Sequence, residues 1–310
     1  MPTVSFGNHI CQLQDGETVL DGLLRHGIPV AHACKAGSCG SCMLRAISGG
    51  IPESAQAGLK DSWRAQGCFL PCVCHPISDL TLAEPGVGAR VDARIASVRL
   101  LSADVIRVHL APEREFEYRP GQYLTLFASP TLARSYSIAS LPSDGFMELH
   151  VRRTRNGLMS GWLFGEARPR DAVQLQGPLG DCFYTCGNED QPLLLAGTGT
   201  GLAPLYGVLR DALSSGHRGP IMLFHGALGP EGLYLGDELR SLSSRYPNFT
   251  YTPTTDPIDR VVAAQVPKTT GYRAFLCGDP AVVQLLKRKI FLAGAAMREI
   301  HSDSFLPAIL

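Results

Sequence analysis

The pattern of hydrophobic and polar residues changes along the chain. Residues 1–84 contain short segments of alternating polarity around one helical segment, residues 18–26, in which Thr18 can cap the first turn and Gly27 ends the last. This mixture predicts a small mixed sheet packed over one helix. Residues 83–89 then bring one Pro and two Gly close together, as is typical of a joint between domains.

The next segment, residues 90–187, contains six short strand-like runs with turn signals at Pro120-Gly121, residues 142–145 and residues 177–180, which predicts a closed antiparallel β-barrel. The predicted strands cover residues 93–100, 105–110, 123–127, 135–138, 147–152 and 172–175.

From residue 188 to residue 310, short apolar runs alternate with segments of helical spacing. Apolar runs of this length indicate strands that are buried on both faces, and their alternation with helices predicts a doubly wound parallel sheet. The predicted fold is therefore multidomain, α+β and α/β, with boundaries at 1–84, 90–187 and 188–310. One of the predicted helices covers residues 202–213, directly after a glycine-rich turn.

Composition excludes several classes of partner. The chain has 45% hydrophobic residues, enough for several cores, and it has 28 basic and 28 acidic residues. Because this balance leaves no net charge, it favours neither nucleic acid nor an anionic membrane. The N-terminus shows no basic segment followed by an apolar run, and Gly and Pro interrupt the apolar stretches, so we expect a soluble, cytoplasmic protein.

Seven of the ten cysteines lie in the first 75 residues, and four of them have the spacing C-x4-C-x2-C-x29-C. Cys34, Cys39, Cys42 and Cys72 thus have the ligand pattern of a plant-type [2Fe–2S] cluster. Disulfides are an alternative, but nothing marks the chain as secreted. Structural zinc is another, although zinc sites favour two short C-x2-C pairs rather than three cysteines on one loop.

The fourth cluster ligand has a competitor, because Cys74 lies two positions beyond Cys72. The 29-residue spacing favours Cys72, and we expect Cys74 to point elsewhere. Cys68 and Cys11 are expected to be packed thiols. This first segment resembles the β-grasp fold of the plant-type ferredoxins over its whole length.

In the predicted barrel, Arg134-Ser135-Tyr136-Ser137 resembles the R-x-Y-S flavin motif of the ferredoxin–NADP reductase superfamily. The resemblance implies that Arg134 clamps the FAD pyrophosphate, Tyr136 stacks on the isoalloxazine and Ser137 bonds near flavin N5. Two further motifs of the same superfamily follow, with implied roles at the flavin ring and at the phosphates. They are His150-Val151-Arg152 and Gly157-Leu158-Met159-Ser160, and we expect Ser160 to begin a helix.

The third segment contains a strand, a glycine turn and a helix, an arrangement that places a pyrophosphate at a helix N-terminus. The turn is Gly197-Thr198-Gly199-Thr200-Gly201 and resembles the pyridine-nucleotide motif of the same superfamily. Cys277-Gly278 matches its C-G-x-P motif, which implies that Cys277 faces the nicotinamide. By the same resemblance Phe305 covers the flavin face, so Ser137, Cys277 and Phe305 are the implied catalytic set.

The three motif sets together resemble the reductase components of bacterial aromatic-ring dioxygenases and monooxygenases. The resemblance implies an oxidoreductase that takes hydride from NADH onto FAD and passes single electrons to the cluster and then to a terminal oxygenase or an intermediate ferredoxin. Two alternatives stay open: a reductase for a deoxysugar-forming dehydrase, and a redox sensor without catalytic activity. The intact flavin and nicotinamide motifs disfavour the sensor.

Nucleotide choice depends on the loop after the second strand of the third segment. That loop, residues 226–232, contains no Arg or Lys, and its only charged residue, Glu231, would repel the 2′-phosphate of NADPH. His225, which could carry a partial positive charge, is the one feature that would favour NADPH. We therefore expect a preference for NADH.

Overall fold

The structure, a computed structural model, describes residues 1–30, 32, 35–37, 42–85, 90–129 and 132–305. The chain divides into two compact units, Met1–Val87 and Gly88–Leu310. Cys34, Cys39 and part of the predicted joint, residues 86–89, lie outside the described residues.

The first unit is a mixed sheet in the order β2-β1-β5-β3-β4, in which β1 and β5 are parallel and the other neighbours antiparallel. Its strands are β1 (Thr3–Phe6), β2 (His9–Gln12), β3 (Leu44–Ser48), β4 (Cys68–Phe69) and β5 (Leu80–Ala83), and its helices are α1 (Val19–Arg25) and α2 (Asp61–Ala65). Apolar side chains from α1 and the sheet form one core beneath the helix.

Helix α1 begins where the sequence predicts. The Thr18 hydroxyl accepts a hydrogen bond from the Asp21 amide (3.1 Å) and donates one to the Asp21 carboxylate (2.8 Å), which satisfies the first turn. Helix α2 and strand β4 were not predicted. With five and two residues they are too short to show a period in the sequence.

The second unit begins with an antiparallel sheet in the order β10-β7-β6-β11-β8-β9. Its strands are β6 (Val91–Leu100), β7 (Val105–Pro112), β8 (Tyr123–Ser129), β9 (Leu132–Ser137), β10 (Met147–Arg152) and β11 (Ala172–Leu179), and helix α3 (Leu158–Gly165) follows β10. An antiparallel bridge between Ile138 and Leu149 joins the two edges, so the sheet closes as the predicted barrel.

The rest of the unit is a parallel sheet in the order β14-β13-β12-β15-β16. Its elements in chain order are β12 (Leu193–Thr198), α4 (Leu202–Ser214), β13 (Ile221–Gly226), α5 (Gly236–Arg245), β14 (Phe249–Thr254), α6 (Ile258–Gln265), β15 (Arg273–Gly278), α7 (Pro280–Leu292) and β16 (Ile300–Ser304). Helices α4 and α5 pack on one face, and α6 and α7 pack on the other. The predicted fold class is thereby confirmed, although α6 and β16 were not predicted.

None of the helices in the described part of the chain has the length and apolar character that a membrane span needs.

Candidate functional site

Two of the four predicted cluster ligands lie in the described residues and are neighbours. Cys42 precedes β3 and Cys72 lies in a short helical turn, and both are buried. Burial, together with the neighbouring Cys72 thiol, raises the pKa of the Cys42 thiol to about 11. Two adjacent thiols that form no disulfide fit the donor set of an iron–sulfur cluster.

The remaining cysteines of the first unit have the character of packed side chains. Cys74 is fully buried, and burial alone raises the pKa of its thiol to about 12. Cys68 and Cys11 are also buried, with pKa values raised chiefly by burial. Burial raises the pKa of the Cys42 thiol as well, so these shifts do not separate packed thiols from cluster ligands. The choice of Cys72 over Cys74 stays a prediction.

The predicted flavin motif forms the end of β9. Arg134 and Ser135 are exposed, Tyr136 is half-buried against the barrel core, and Ser137 is buried. Burial raises the pKa of Tyr136, so this side chain stays a neutral phenol. An exposed guanidinium beside a partly open aromatic ring fits a group that carries both a pyrophosphate and a flat ring system.

The second pair of flavin motifs spans β10 and the start of α3. Gly157 is the N-cap of α3, and a Cβ on it would lie 2.6 Å from the Ser160 hydroxyl oxygen. Ser160 was expected to begin the helix but lies in its first turn, where its hydroxyl accepts from the Thr154 amide (3.1 Å) and donates to the Gly157 carbonyl (3.2 Å). Leu158 is exposed and Met159 is buried. The tight turn leaves the first amides of α3 available to a phosphate.

The side chains of His150-Val151-Arg152 alternate between the two faces of β10. Val151 points into the barrel core, and His150 is buried on the opposite face. Arg152 is exposed, and its guanidinium lies 3.5 Å from where a Cβ on Gly199 would be. Arg152 therefore reaches the glycine turn of the nucleotide domain.

The glycine turn and the C-G-x-P segment are packed against each other. A Cβ on Gly201 would lie 2.2 Å from the Cys277 carbonyl oxygen, and one on Gly278 would lie 2.6 Å from the Thr198 hydroxyl oxygen. That hydroxyl also accepts from the Asp279 amide (3.1 Å). Only glycine fits at Gly201 and Gly278, so the two motifs form one site at the carboxyl ends of β12 and β15. The remaining turn residues, Gly197, Thr198, Gly199 and Thr200, complete β12 and a short helical turn.

Cys277 lies at the end of β15 with its sulfur 3.4 Å from the Cys182 sulfur. Both thiols are buried, and burial raises the pKa of Cys277 well above its ordinary value. Cys277 is therefore a neutral thiol that suits a positioning role rather than nucleophilic chemistry. Cys182 was not predicted as a neighbour, since nothing in the sequence relates the two positions.

A carboxylate that sequence reasoning did not single out joins this site. The Ser137 hydroxyl donates to the Asp303 carboxylate (3.3 Å), and Asp303 pairs with Cys277 across β15 and β16. Burial, and to a smaller extent the nearby Asp181, raise the pKa of Asp303 to about 6. The Phe305 amide donates to the Gly278 carbonyl (2.8 Å). Ser137, Cys277 and Phe305 are thus brought to one place.

A closed antiparallel barrel joined to a parallel nucleotide-binding sheet, with aromatic, hydroxyl and thiol side chains where they meet, defines a flavin oxidoreductase that uses a pyridine nucleotide.

Comparison with known proteins identifies each part of the chain. Residues 6–76 match the 2Fe-2S iron-sulfur cluster binding domain, residues 92–184 the oxidoreductase FAD-binding domain, and residues 195–287 the oxidoreductase NAD-binding domain.

Several relatives match the chain over nearly its whole length. The chain is 32% identical to the ferredoxin–NAD(P)+ reductase component of a naphthalene 1,2-dioxygenase system from Pseudomonas putida, over 97% of both chains. It is also 32% identical to the reductase subunit of an aromatic O-demethylase from Amycolatopsis, over 98% of both chains. The crystal structure of an Amycolatopsis cytochrome P450 reductase covers 99% of both chains at 29% identity, with a TM-score of 0.69.

The chain belongs to the family of ferredoxin–NAD(P)+ reductases that serve oxygenase systems as reductase components. It is an oxidoreductase that binds a [2Fe–2S] cluster, FAD and a nicotinamide nucleotide.

Proposed function

We propose that this protein is the NADH-dependent reductase of a cytoplasmic system that oxidises aromatic compounds, and that it delivers single electrons to the terminal oxygenase or to an intermediate ferredoxin. The relatives named above support this acceptor, because the first serves a naphthalene dioxygenase and the second an aromatic O-demethylase. The buried, unpaired thiols of the described residues agree with a reducing compartment.

One observation carries the proposal: Ser137 from the barrel and Asp303, Cys277 and Phe305 from the nucleotide domain meet at one point. FAD, when bound, converts the two-electron hydride of NADH into single electrons that a [2Fe–2S] cluster can accept. Arg134 and the Gly157 turn would hold the pyrophosphate of FAD, and the glycine turn at Gly199 would hold that of the nucleotide.

The remaining side chains have roles that follow from their chemistry. The Ser137 hydroxyl lies where flavin N5 is expected, and it donates its single proton to the Asp303 carboxylate. Cys277 fills the site as a small neutral thiol and, with Phe305, keeps water away. We propose Cys34, Cys39, Cys42 and Cys72 as the cluster ligands.

Removal of residues 1–84 tests the order of electron transfer. The shortened protein should still bind FAD and still reduce ferricyanide with NADH, because the barrel and nucleotide domains form their own compact unit. It should lose reduction of cytochrome c and of the oxygenase. Undiminished delivery to these acceptors by the shortened protein would show that the cluster is not on the path.

The acceptor is tested with purified partners. The full-length protein should support turnover of an aromatic-ring dioxygenase or monooxygenase from the same genome when NADH is supplied. If the protein supports turnover of a deoxysugar-forming dehydrase and of no oxygenase, the dehydrase is its acceptor. Absence of any NADH-dependent reduction of ferricyanide or cytochrome c would instead favour a redox sensor.

A further inference from the structure

Strand β10 of the barrel presents a polar face to the nucleotide domain. Met147, Leu149 and Val151 point into the barrel core, as the two-residue period of a strand requires. The alternate residues include Glu148 and His150, which are only 5% and 3% exposed although both are polar. Buried polar groups need partners, and here the partners come from β7 and from the nucleotide domain.

Glu148 is the centre of a group of charged and polar side chains. Its carboxylate accepts hydrogen bonds from Arg107 Nε (3.1 Å), His109 Nε2 (3.1 Å) and His150 Nε2 (2.7 Å). These donors hold the pKa of Glu148 at about 2 despite its burial, so the carboxylate is ionised. Arg107 also reaches helix α5 of the nucleotide domain, where Nη2 donates to both carboxylate oxygens of Glu238 (3.0 and 3.1 Å).

The hydrogen bonds of His150 define its tautomer. An ionised Glu148 can only accept, so His150 carries its proton on Nε2. Burial lowers the pKa of His150, which leaves Nδ1 as an acceptor. The Tyr234 hydroxyl lies 3.1 Å from Nδ1 and therefore donates to it. Tyr234, His150 and Glu148 thus form a directed chain from the nucleotide domain into the barrel.

Tyr234 connects this chain to the glycine turn. Its ring packs edge-on against His225 at the end of β13, with centroids 5.5 Å apart and ring planes at 87°. His225 Nε2 donates to the Gly199 carbonyl (3.1 Å). Burial lowers the pKa of His225 to about 4, so the ring is neutral and can keep this geometry across the physiological pH range.

We propose that Tyr234 is a positioning residue for hydride transfer: through His150 and Glu148 on one side and His225 on the other, it fixes the glycine turn of the nucleotide domain relative to the barrel. The turn holds the nucleotide and the barrel holds the flavin, so this contact sets the approach of the two rings. Reacting atoms must come within about 3.5 Å in the correct orientation, and a displacement of about 1 Å can slow a reaction by up to about a hundredfold.

The test removes one hydroxyl. Tyr234→Phe in the full-length holoprotein should retain FAD and the cluster, and it should bind ADP-ribose within threefold of the wild-type affinity, because the glycine turn itself is intact. Flavin reduction by saturating NADH, followed at single turnover, should be at least tenfold slower. In ¹⁵N-histidine spectra the His150 Nδ1 resonance should shift, because its hydrogen-bond donor is gone.

The chain contains a matched control. The Tyr184 hydroxyl lies 3.2 Å from His217 Nδ1, with ring centroids 5.6 Å apart at 88°, and both residues are buried. Tyr184→Phe removes the same kind of hydrogen bond from the same unit. We expect both variants to have a lower melting temperature than wild type, but Tyr184→Phe should leave flavin reduction within twofold of wild type.

Equal rates for Tyr234→Phe and wild type, or equal rate losses in the two variants, would overturn the inference. Should Tyr234→Phe fail to yield holoprotein, His150→Gln tests the link from the barrel side, since the amide can still donate to Glu148 but does not reach Tyr234. The inference rests on the proposed reduction of bound FAD by NADH. Failure of the wild type to be reduced would refute that function, whereas a reduced wild type with an equally fast Tyr234→Phe would refute only the role of Tyr234.

Discussion

The hydroxyl of Ser137 donates a hydrogen bond to the carboxylate of Asp303 across 3.3 Å, from barrel strand β9 to nucleotide-domain strand β16. The two residues are 166 positions apart in the sequence, and they meet beside Cys277. A carboxylate here would stabilise the positive charge that develops on a nicotinamide as it gives up hydride.

This pair leads to a pH prediction. Because the pKa of Asp303 is about 6, its carboxylate is ionised above pH 6 and protonated below it. We expect flavin reduction by NADH to slow as the pH falls through about 6. Asp303→Asn should be about tenfold slower at pH 8, and its rate should be flat in this range. Stopped-flow measurements of flavin reduction between pH 5 and 8 test this. If the rate of Asp303→Asn still falls near pH 6, a group other than Asp303 causes the pH dependence.

The cluster assignment predicts different outcomes for two cysteines that are two positions apart. Cys72→Ser should lose iron and visible absorption, because one of four thiolates is gone. Cys74→Ser should keep both, and burial of a hydroxyl in place of a thiol should lower stability by about 1–2 kcal/mol. Iron content and absorbance spectra provide the measurement. If Cys74→Ser loses its iron and visible absorption while Cys72→Ser keeps them, Cys74 rather than Cys72 is the fourth ligand.

The nucleotide domain is expected to prefer NADH by at least tenfold in kcat/KM, which requires only about 1.4 kcal/mol. His225, the one residue that could have favoured the 2′-phosphate of NADPH, has a pKa of about 4 and is therefore neutral. Glu231 in the following loop would repel the phosphate. Glu231→Lys should reduce the preference for NADH over NADPH, whereas Glu189→Lys, in another part of the domain, should leave it unchanged. Equal use of both nucleotides by wild type would contradict the prediction.

A carboxylate on α4 predicts how stability depends on pH. Burial raises the pKa of Asp211 to about 6 from its ordinary value of 3.8. Since the folded state then binds the proton more tightly than the unfolded state, stability falls as the pH rises from about 4 to about 6. Asp211→Asn should therefore be more stable than wild type by about 1–2 kcal/mol at pH 8, after allowance for partial exposure.

Thermal unfolding at pH 5, 6.5 and 8 tests this, and the advantage of Asp211→Asn should grow with pH. Asp190→Asn is the control, because its carboxylate is exposed and hydrogen bonds from Arg218 lower its pKa. It should show no gain at pH 8. A constant difference between wild type and Asp211→Asn at all three pH values would show that burial does not disfavour the Asp211 charge.

The sequence by itself determined the features that consecutive residues create. The spacing around Cys39 and Cys42, the R-x-Y-S segment ending at Ser137 and the glycine turn around Gly199 each place several functional groups on one loop or strand. Their chemistry depends on local spacing, so it can be read without a fold. The order of strands and helices was predictable for the same reason, apart from short or polar elements such as α2 and β16, which show no hydrophobic period.

Only the tertiary structure decided which distant residues share a site. Asp303 and Cys182 have no signal of their own, and they become part of the site because β16 lies beside β15 and because the segment after β11 packs beneath Cys277. The same holds for Tyr234, whose hydroxyl meets His150 from another domain. A strand's period of two predicts that alternate residues share a face, but the partner of that face depends on how the domains pack.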